Sequence, residues 1–324
     1  MKNNEYNEEI LIHIDNIYYI EQIQYWNALL ESAKIKYAYL IRNKKYYYKA
    51  KEKFNNLPIY LASSPIDVET LLNKLPLHSI LYTSHSNKNI HTCRFIEFNH
   101  IYIGGENSDR NSNISGILRI YDEIWCQSNY YFDKVKNLID LRHLDMKVTG
   151  KPEYEKQYFK DNSKDSISIF FNTKNNGLIK IFSKLTSILY NYNIDIFSKN
   201  KSIKRKNISL LNNEKINGLY VKLSSNVLKY NNEVIITDYD SYHSKLLLTN
   251  AIILIYIPEE NDNFKNEKYL PINSINIFRT TQELDKLLLI KDELNTIKDE
   301  DIKYYHSNNM EEQFISNIRK LSKV

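Results

Sequence analysis

This chain of 324 residues lacks several features that define common classes of protein. It has only two cysteines, Cys93 and Cys126, both in apolar segments, which argues against a disulfide framework and favours a reduced, cytoplasmic protein. Residues 1–9 are polar and acidic, so we expect no secretory signal. The longest mostly apolar stretch, residues 246–257, is about half as long as a membrane span needs to be.

Sequence motifs for common cofactors are missing as well. Glycine occurs only six times, and neither the glycine-rich nucleotide motifs nor the nucleophile elbow of hydrolases is present. The eight histidines show no metal-ligand spacing, so we predict no metal and no cofactor. A net charge of +5, from 44 basic and 39 acidic residues, is too small for a dedicated nucleic-acid-binding protein. With 42% hydrophobic residues, the composition is that of an ordinary globular protein long enough for two cores.

Short apolar runs alternate with helical patterns along the whole chain, which predicts an α/β fold with mostly parallel strands. Gly150-Lys151-Pro152 and the polar residues 156–164 interrupt this alternation and form the best linker candidate. We therefore predict two Rossmann-like, doubly wound lobes with a cleft between them, residues 1–158 and 159–324. A last helix, residues 310–323, is expected to pack back on the first lobe.

Two predicted strands end in polar segments, and open parallel sheets bind their ligands at such ends. The strand at 234–237 continues into Thr237-Asp238-Tyr239-Asp240-Ser241, where a helix beginning near Ser241 would favour a phosphate. The strand at 100–103 continues into Gly104-Gly105-Glu106-Asn107-Ser108-Asp109-Arg110, which offers a flexible backbone and two carboxylates for general-base catalysis. Helix capping in the first segment and a polar surface turn in the second are the simpler interpretations.

Basic residues cluster in two places. Residues 42–53 combine Arg42 and five lysines with three tyrosines, and residues 199–206 form a second run. Cations beside interfacial aromatic residues could rest on an anionic membrane surface or meet a polyanionic substrate. A solvated face of a lysine-rich protein is the alternative for either run.

Six short segments follow one another in an order and spacing that resembles the CDP-glycerol glycerophosphotransferase family, over about residues 80 to 260. The resemblance implies a GT-B fold. It also implies that Thr237, Asp238, Asp240 and Ser241 lie at the donor phosphate, with Asp240 in place of the first serine of the family's segment. The segments are Leu81-Tyr82-Thr83-Ser84, Asn89, residues 100–110, Tyr121-Asp122-Glu123-Ile124, Val148-Thr149-Gly150-Lys151-Pro152 and residues 236–241.

The chain departs from this family at two signature histidines. Where the family has His-Gly, it has Gly104-Gly105, so Glu106 or Asp109 is our substitute for the base that acts on the acceptor hydroxyl. Ser108 and Arg110 fit the rest of that acceptor loop. The basic-x-His-Pro signature should fall near residues 197–202, where Lys199 and Lys201 are left to hold a diphosphate as point charges. Gly150 and Glu259 complete the predicted donor side, and Glu259 is expected to meet a ribose or glycerol hydroxyl.

The resemblance implies transfer of a nucleotide-activated polyol phosphate or sugar, with CDP-glycerol as the model donor, to a hydroxyl of a teichoic acid or capsular polysaccharide. Such a reaction would occur on the cytoplasmic face of the cell membrane and would depend on positioning and on stabilising the leaving phosphate. Two alternatives stay open. One is a glycosyltransferase that uses a nucleotide sugar, and the other is a non-catalytic relative that binds a polymer or a partner transferase.

Overall fold

The structure is a computed structural model. It describes residues 7–15, 20, 23–84, 86–104, 114–140, 142, 144–150, 163–170, 178, 181–189, 191–197, 220–224, 232–238, 251–258, 275–294 and 310–321. These residues form two compact units. One contains the described residues up to Gly150 together with residues 310–321, and the other contains those from Ser163 to Leu294.

The first lobe is built on a parallel sheet of seven strands. They are β1 (Ile10–Ile14), β2 (Tyr37–Ile41), β3 (Ile59–Leu61), β4 (Ser79–Tyr82), β5 (Asn99–Tyr102), β6 (Glu123–Cys126) and β7 (Asp145–Val148). Their order in the sheet is β3-β2-β1-β4-β5-β6-β7. The central strands β1, β2 and β4 are buried at every residue, because both faces of the sheet are covered, and this explains their nearly continuous apolar sequences.

Five helices and a short 3-10 helix, Gly116–Ile120, connect these strands. The helices are α1 (Ile23–Ser32), α2 (Lys44–Lys53), α3 (Pro65–Leu72), α4 (Asn87–Cys93) and α5 (Asn129–Leu138). Helices α2 to α5 begin at capping side chains that accept hydrogen bonds from free backbone N–H groups, namely Asn43, Ser64, Ser86 and Ser128. Because each cap lies two to four residues beyond a strand, these helices all start at the carboxyl edge of the sheet.

The second lobe has a parallel sheet with the strand order β10-β9-β8-β11-β12-β13. Its strands are β8 (Ser163–Phe170), β9 (Asn193–Phe197), β10 (Tyr220–Ser224), β11 (Asn232–Asp238), β12 (Ile252–Tyr256) and β13 (Ile275–Phe278). The described helices are α6 (Phe182–Ile188) and α7 (Thr281–Leu289), and a 3-10 turn, Lys291–Glu293, follows α7. In both sheets the strand order reverses once, between β1 and β4 and between β8 and β11, and ligands of open parallel sheets bind at such switch points.

Helix α8 (Met310–Leu321) belongs to the first lobe, although the chain reaches it after the second lobe. Its Phe314 is 1% exposed, and the ring lies 4.9 Å from Trp26 of α1 and 5.3 Å from Trp125 of β6, measured between ring centroids. Ile318 and Leu321, one and two turns further on, enter the same core. The aromatic cluster therefore anchors α8 to the face of the first sheet that α1 covers.

The sequence-based fold class is confirmed, since both lobes are parallel α/β sheets of Rossmann type. The boundary predicted at residue 158 lies outside the described residues and stays a prediction. No helix in the described ranges is long and apolar enough to cross a membrane.

Candidate functional site

Thr237 and Asp238 lie at the carboxyl end of β11, beside the switch point of the second sheet. Thr237 is fully buried and Asp238 is 2% exposed. The Asp238 carboxylate accepts a hydrogen bond of 2.9 Å from the backbone N–H of Leu178, which lies in the connection that follows β8. The carboxylate therefore joins the end of β11 to the connection that follows β8, and it has a backbone partner inside the lobe.

Four of the site residues predicted from the sequence are described: Gly104, Gly150, Thr237 and Asp238. Gly104 and Gly150 follow β5 and β7 of the first lobe and have φ angles of +59° and +75°, a region that favours glycine. Thr237 and Asp238 are adjacent in the second lobe. The other predicted residues lie outside the described part of the chain: Gly105, Glu106, Ser108, Asp109, Arg110, Lys199, Lys201, Asp240, Ser241 and Glu259.

The switch point of the first sheet carries an ion pair that links the chain after β1 to α4. Asp15 directly follows β1, and Lys88 lies in the first turn of α4. The Lys88 Nζ is 3.1 Å from the Asp15 Oδ1. The Asp15 side chain is 10% exposed, whereas that of Lys88 is 45% exposed. A largely enclosed carboxylate that is paired with a lysine thus lies where a doubly wound sheet binds its ligands.

Arg42, which directly follows β2, is a second charged group at this edge. Its guanidinium donates to the carbonyl oxygen of Lys88 at 3.1 Å and to that of Ser63 at 3.5 Å, so it ties together the chain segments beyond three strands. Burial lowers the pKa of Arg42, while the carboxylates of Asp15 and Asp67 oppose this shift. Arg42 is only 5% exposed. The prediction that it contributes to an exposed basic cluster is therefore wrong, and the basic residues of that run that lie on the surface are lysines.

His13, the fourth residue of β1, is fully buried beneath this charged edge. Within the described ranges neither of its ring nitrogens has a hydrogen-bond partner. Burial lowers the pKa of His13 to about 4; Asp15 opposes the shift, and Arg42 and Lys88 add to it. The imidazole is therefore neutral at pH 7, and its ring packs 5.5 Å from that of Tyr82.

The buried imidazole of His13 predicts a loss of stability in mild acid. Between about pH 4 and 6.5 the unfolded chain binds a proton that the folded His13 does not, so the free energy of unfolding rises with pH across this window. The contribution of the neutral His13 to stability is fully present above about pH 6.5. We expect the free energy of unfolding, measured with urea, to fall between pH 7 and pH 4 by about 2 to 3 kcal/mol more in the wild type than in His13→Phe. Burial also lowers the pKa of His100, so the variant should keep part of the slope. Identical slopes would show that His13 is accessible to protons in the folded protein.

The first-lobe segments that carry the family resemblance contribute buried polar contacts. The Asn89 side-chain amide donates to the Ser84 carbonyl oxygen at 2.6 Å and to the Tyr121 hydroxyl at 2.9 Å. The Tyr82 hydroxyl lies 2.8 Å from Nδ1 of His100, whose backbone N–H donates to Asp122 at 2.7 Å. These contacts join strands β4 and β5, helix α4 and the chain just before β6, so the segments have a structural role in the lobe. No group of three or more potential metal ligands occurs among the described residues.

Sequence reasoning missed His13, Asp15 and Lys88 as site residues and misplaced Arg42. Asp15 and Arg42 each begin a polar stretch directly after a mostly apolar strand, which is a weak signal in one sequence. The strand order provides the missing information, because β1 lies between β2 and β4 and brings together residues that are 73 positions apart in the case of Asp15 and Lys88.

Comparison with known proteins identifies the fold. No known protein family matches this sequence, and no curated protein is significantly similar to it. Solved structures do match over nearly the whole chain. MurG of Acinetobacter baumannii is 11% identical with a TM-score of 0.60, and the match covers 97% of this chain and 99% of MurG. The wall teichoic acid polymerase TagF, in a variant soaked with CDPG, is also 11% identical with a TM-score of 0.60, over 99% of this chain and 90% of that one.

The chain has a GT-B fold. UDP-N-acetylglucosamine 2-epimerase from Rickettsia bellii shares this fold at 13% identity and a TM-score of 0.59, with 98% of this chain and 96% of the epimerase covered. At such identities the likeness is one of architecture. The GT-B assignment agrees with the two doubly wound sheets and with the fold implied by the family resemblance.

Proposed function

We propose that this GT-B protein transfers a nucleotide-activated polyol phosphate or sugar to a hydroxyl group of a cell-envelope polymer. The observation that carries the proposal is the Thr237-Asp238 strand end at the switch point of the second sheet. It belongs to the segment that resembles the donor site of the CDP-glycerol glycerophosphotransferases, and the fold is shared with the teichoic acid polymerase TagF. CDP-glycerol is our first choice of donor, and teichoic acid or a capsular polysaccharide is our choice of acceptor.

The proposed reaction is a substitution at phosphorus. An acceptor hydroxyl forms a bond to the phosphorus of the activated glycerol phosphate while the phosphoanhydride bond to CMP breaks, and CMP leaves with the electron pair. Glu106 or Asp109 accepts the hydroxyl proton. Lys199, Lys201 and Ser241 stabilise the charge that develops on the leaving phosphate. Glu259 is proposed to bind a hydroxyl of the ribose or of glycerol.

Asp238 receives a positioning role in this proposal. Its carboxylate accepts a hydrogen bond from the Leu178 N–H inside the lobe. If the carboxylate instead lay beside the donor phosphate, the two negative charges would repel each other. We therefore assign to Asp238 the task of fixing the strand end from which residues 239–241 continue. Thr237 is buried beside it. Ser241 then provides the hydroxyl that donates to the phosphate.

Nucleotide binding tests the proposal. We expect CDP-glycerol or CMP to raise the melting temperature, and Ser241→Ala to weaken binding by about tenfold, which is the value of one hydrogen bond to a charged group. Ser187→Ala, at an exposed serine of α6 in the same lobe, is the matched control. Release of CMP in the presence of an envelope acceptor measures turnover, and Glu106→Gln with Asp109→Asn should stop it while leaving nucleotide binding intact. If no cytidine or uridine nucleotide binds, the donor site is refuted.

Two alternatives make different predictions in the same assay. A nucleotide-sugar glycosyltransferase would be stabilised by UDP-N-acetylglucosamine or a related sugar nucleotide in preference to CDP-glycerol. A non-catalytic relative would release no nucleotide with any acceptor, which is the outcome that the absence of both signature histidines would favour.

A further inference from the structure

Helix α2 presents a continuous cationic face. Lys44, Lys45, Lys49 and Lys53 are all exposed, and Tyr48, between them, is 57% exposed. The opposite side of the helix packs into the first-lobe core through Ala50, Tyr46 and Tyr47. The helix is therefore fixed by its inner side, and the four exposed lysines lie on the side that faces away from the core.

Three of these lysines form a ladder along the helix. Lys45, Lys49 and Lys53 are four residues apart, which places one ammonium group about every 6 Å along the axis and rotates successive positions by only about 40°. Among the described residues, Lys44, Lys45 and Lys49 form no ion pair, and Glu52 is the one acidic residue of α2. The positive charge of the ladder is therefore largely uncompensated by its own helix.

We infer that this ladder binds a polyanionic chain that carries one phosphate per repeat, such as a polyol phosphate. The inference rests on the proposed function and names the acceptor class. Ammonium groups on long side chains act as point charges and follow a flexible row of phosphates well. The position of the helix also fits, because α2 begins two residues beyond β2, at the carboxyl edge where Arg42, Asp15 and Lys88 lie. A chain bound along the ladder would lead to that edge.

A polymer fits this face better than a membrane does. An interfacial helix needs apolar side chains that enter the lipid beneath its cations. On α2 the exposed side has no aliphatic residue, and two of the three tyrosines, Tyr46 and Tyr47, pack into the protein core. A row of charges along one axis matches a linear polyanion.

Polymer binding without donor tests this inference. The full chain is titrated with synthetic poly(glycerol phosphate), and the triple variant Lys45→Gln/Lys49→Gln/Lys53→Gln is compared with Lys36→Gln/Lys74→Gln/Lys136→Gln. The control triple removes the same charge from three exposed and scattered positions of the first lobe. We expect the ladder triple to weaken binding by about tenfold or more. The slope of log K against log salt should fall by about 2 to 3, as for three lost phosphate contacts. The control triple should change neither the affinity nor the salt slope by more than about twofold.

Each other outcome overturns the inference. Equal losses in both triples would mean that net charge alone attracts the polymer. Unchanged polymer binding by the ladder triple, together with reduced sedimentation on phosphatidylglycerol vesicles, would assign the face to a membrane. The proposed function fails separately, through the absence of nucleotide binding, which these lysines should not affect. Both triples should therefore keep the wild-type thermal shift with CDP-glycerol.

Discussion

Phe314→Ala should lower the free energy of unfolding of the first lobe by about 3 to 5 kcal/mol, the range expected when a buried phenylalanine is removed from a core. The phenyl ring is 1% exposed and contacts both tryptophans of the chain, Trp26 and Trp125. Its loss would leave a cavity between helix α8 and the sheet. Because both tryptophans belong to the first lobe, their fluorescence during urea unfolding reports on this lobe alone.

Glu312→Ala is the control for Phe314→Ala. It lies two positions earlier on the same helix and is exposed, so its effect should stay within about 0.5 kcal/mol. If the two variants unfold at the same urea concentration, α8 does not contribute to the cooperative core of the first lobe.

The second large effect is expected at Asp238. Asp238→Ala removes the acceptor of the Leu178 N–H in a buried position, which should destabilise the second lobe by about 2 to 3 kcal/mol. Asp238→Asn keeps an oxygen acceptor and should lose less. Since the second lobe has no tryptophan, hydrogen exchange followed by mass spectrometry is the suitable measurement, with peptides covering Leu178 and β11.

The hydrogen-exchange result separates positioning from direct contact with a donor. If Asp238 positions the strand end, Asp238→Ala should accelerate exchange at Leu178 and abolish nucleotide-dependent stabilisation together. Loss of nucleotide binding with unchanged exchange at Leu178 would show that the carboxylate contacts the donor itself.

The sheets could be predicted well from the sequence, for a physical reason. A strand buried on both faces is almost wholly apolar, as in β1 (Ile10–Ile14) and β12 (Ile252–Tyr256), and such a run between polar segments stands out in a single sequence. The strand predicted at 100–103 is found at Asn99–Tyr102, and the one predicted at 234–237 lies within β11. The fold class followed from the alternation of these runs with helices.

The candidate site was less predictable, because its contacts join residues that are distant in sequence. The partner of Asp238 is 60 positions away at Leu178, and no spacing rule connects them. In the sequence, Arg42 cannot be distinguished from the lysines that follow it. Only its hydrogen bonds to the carbonyl oxygens of Ser63 and Lys88 show that its guanidinium points inward. Similarly, the burial of His13 depends on strands from both sides of β1.

The membership of α8 in the first lobe affects how this protein is made. During translation, residues 163–294 emerge from the ribosome before residues 310–321, so the second sheet can form while the hydrophobic surface around Trp26 and Trp125 is still uncovered. The lobe whose synthesis starts first is thus completed last. Until α8 arrives, the nascent chain exposes an apolar patch of the kind that chaperones protect from aggregation.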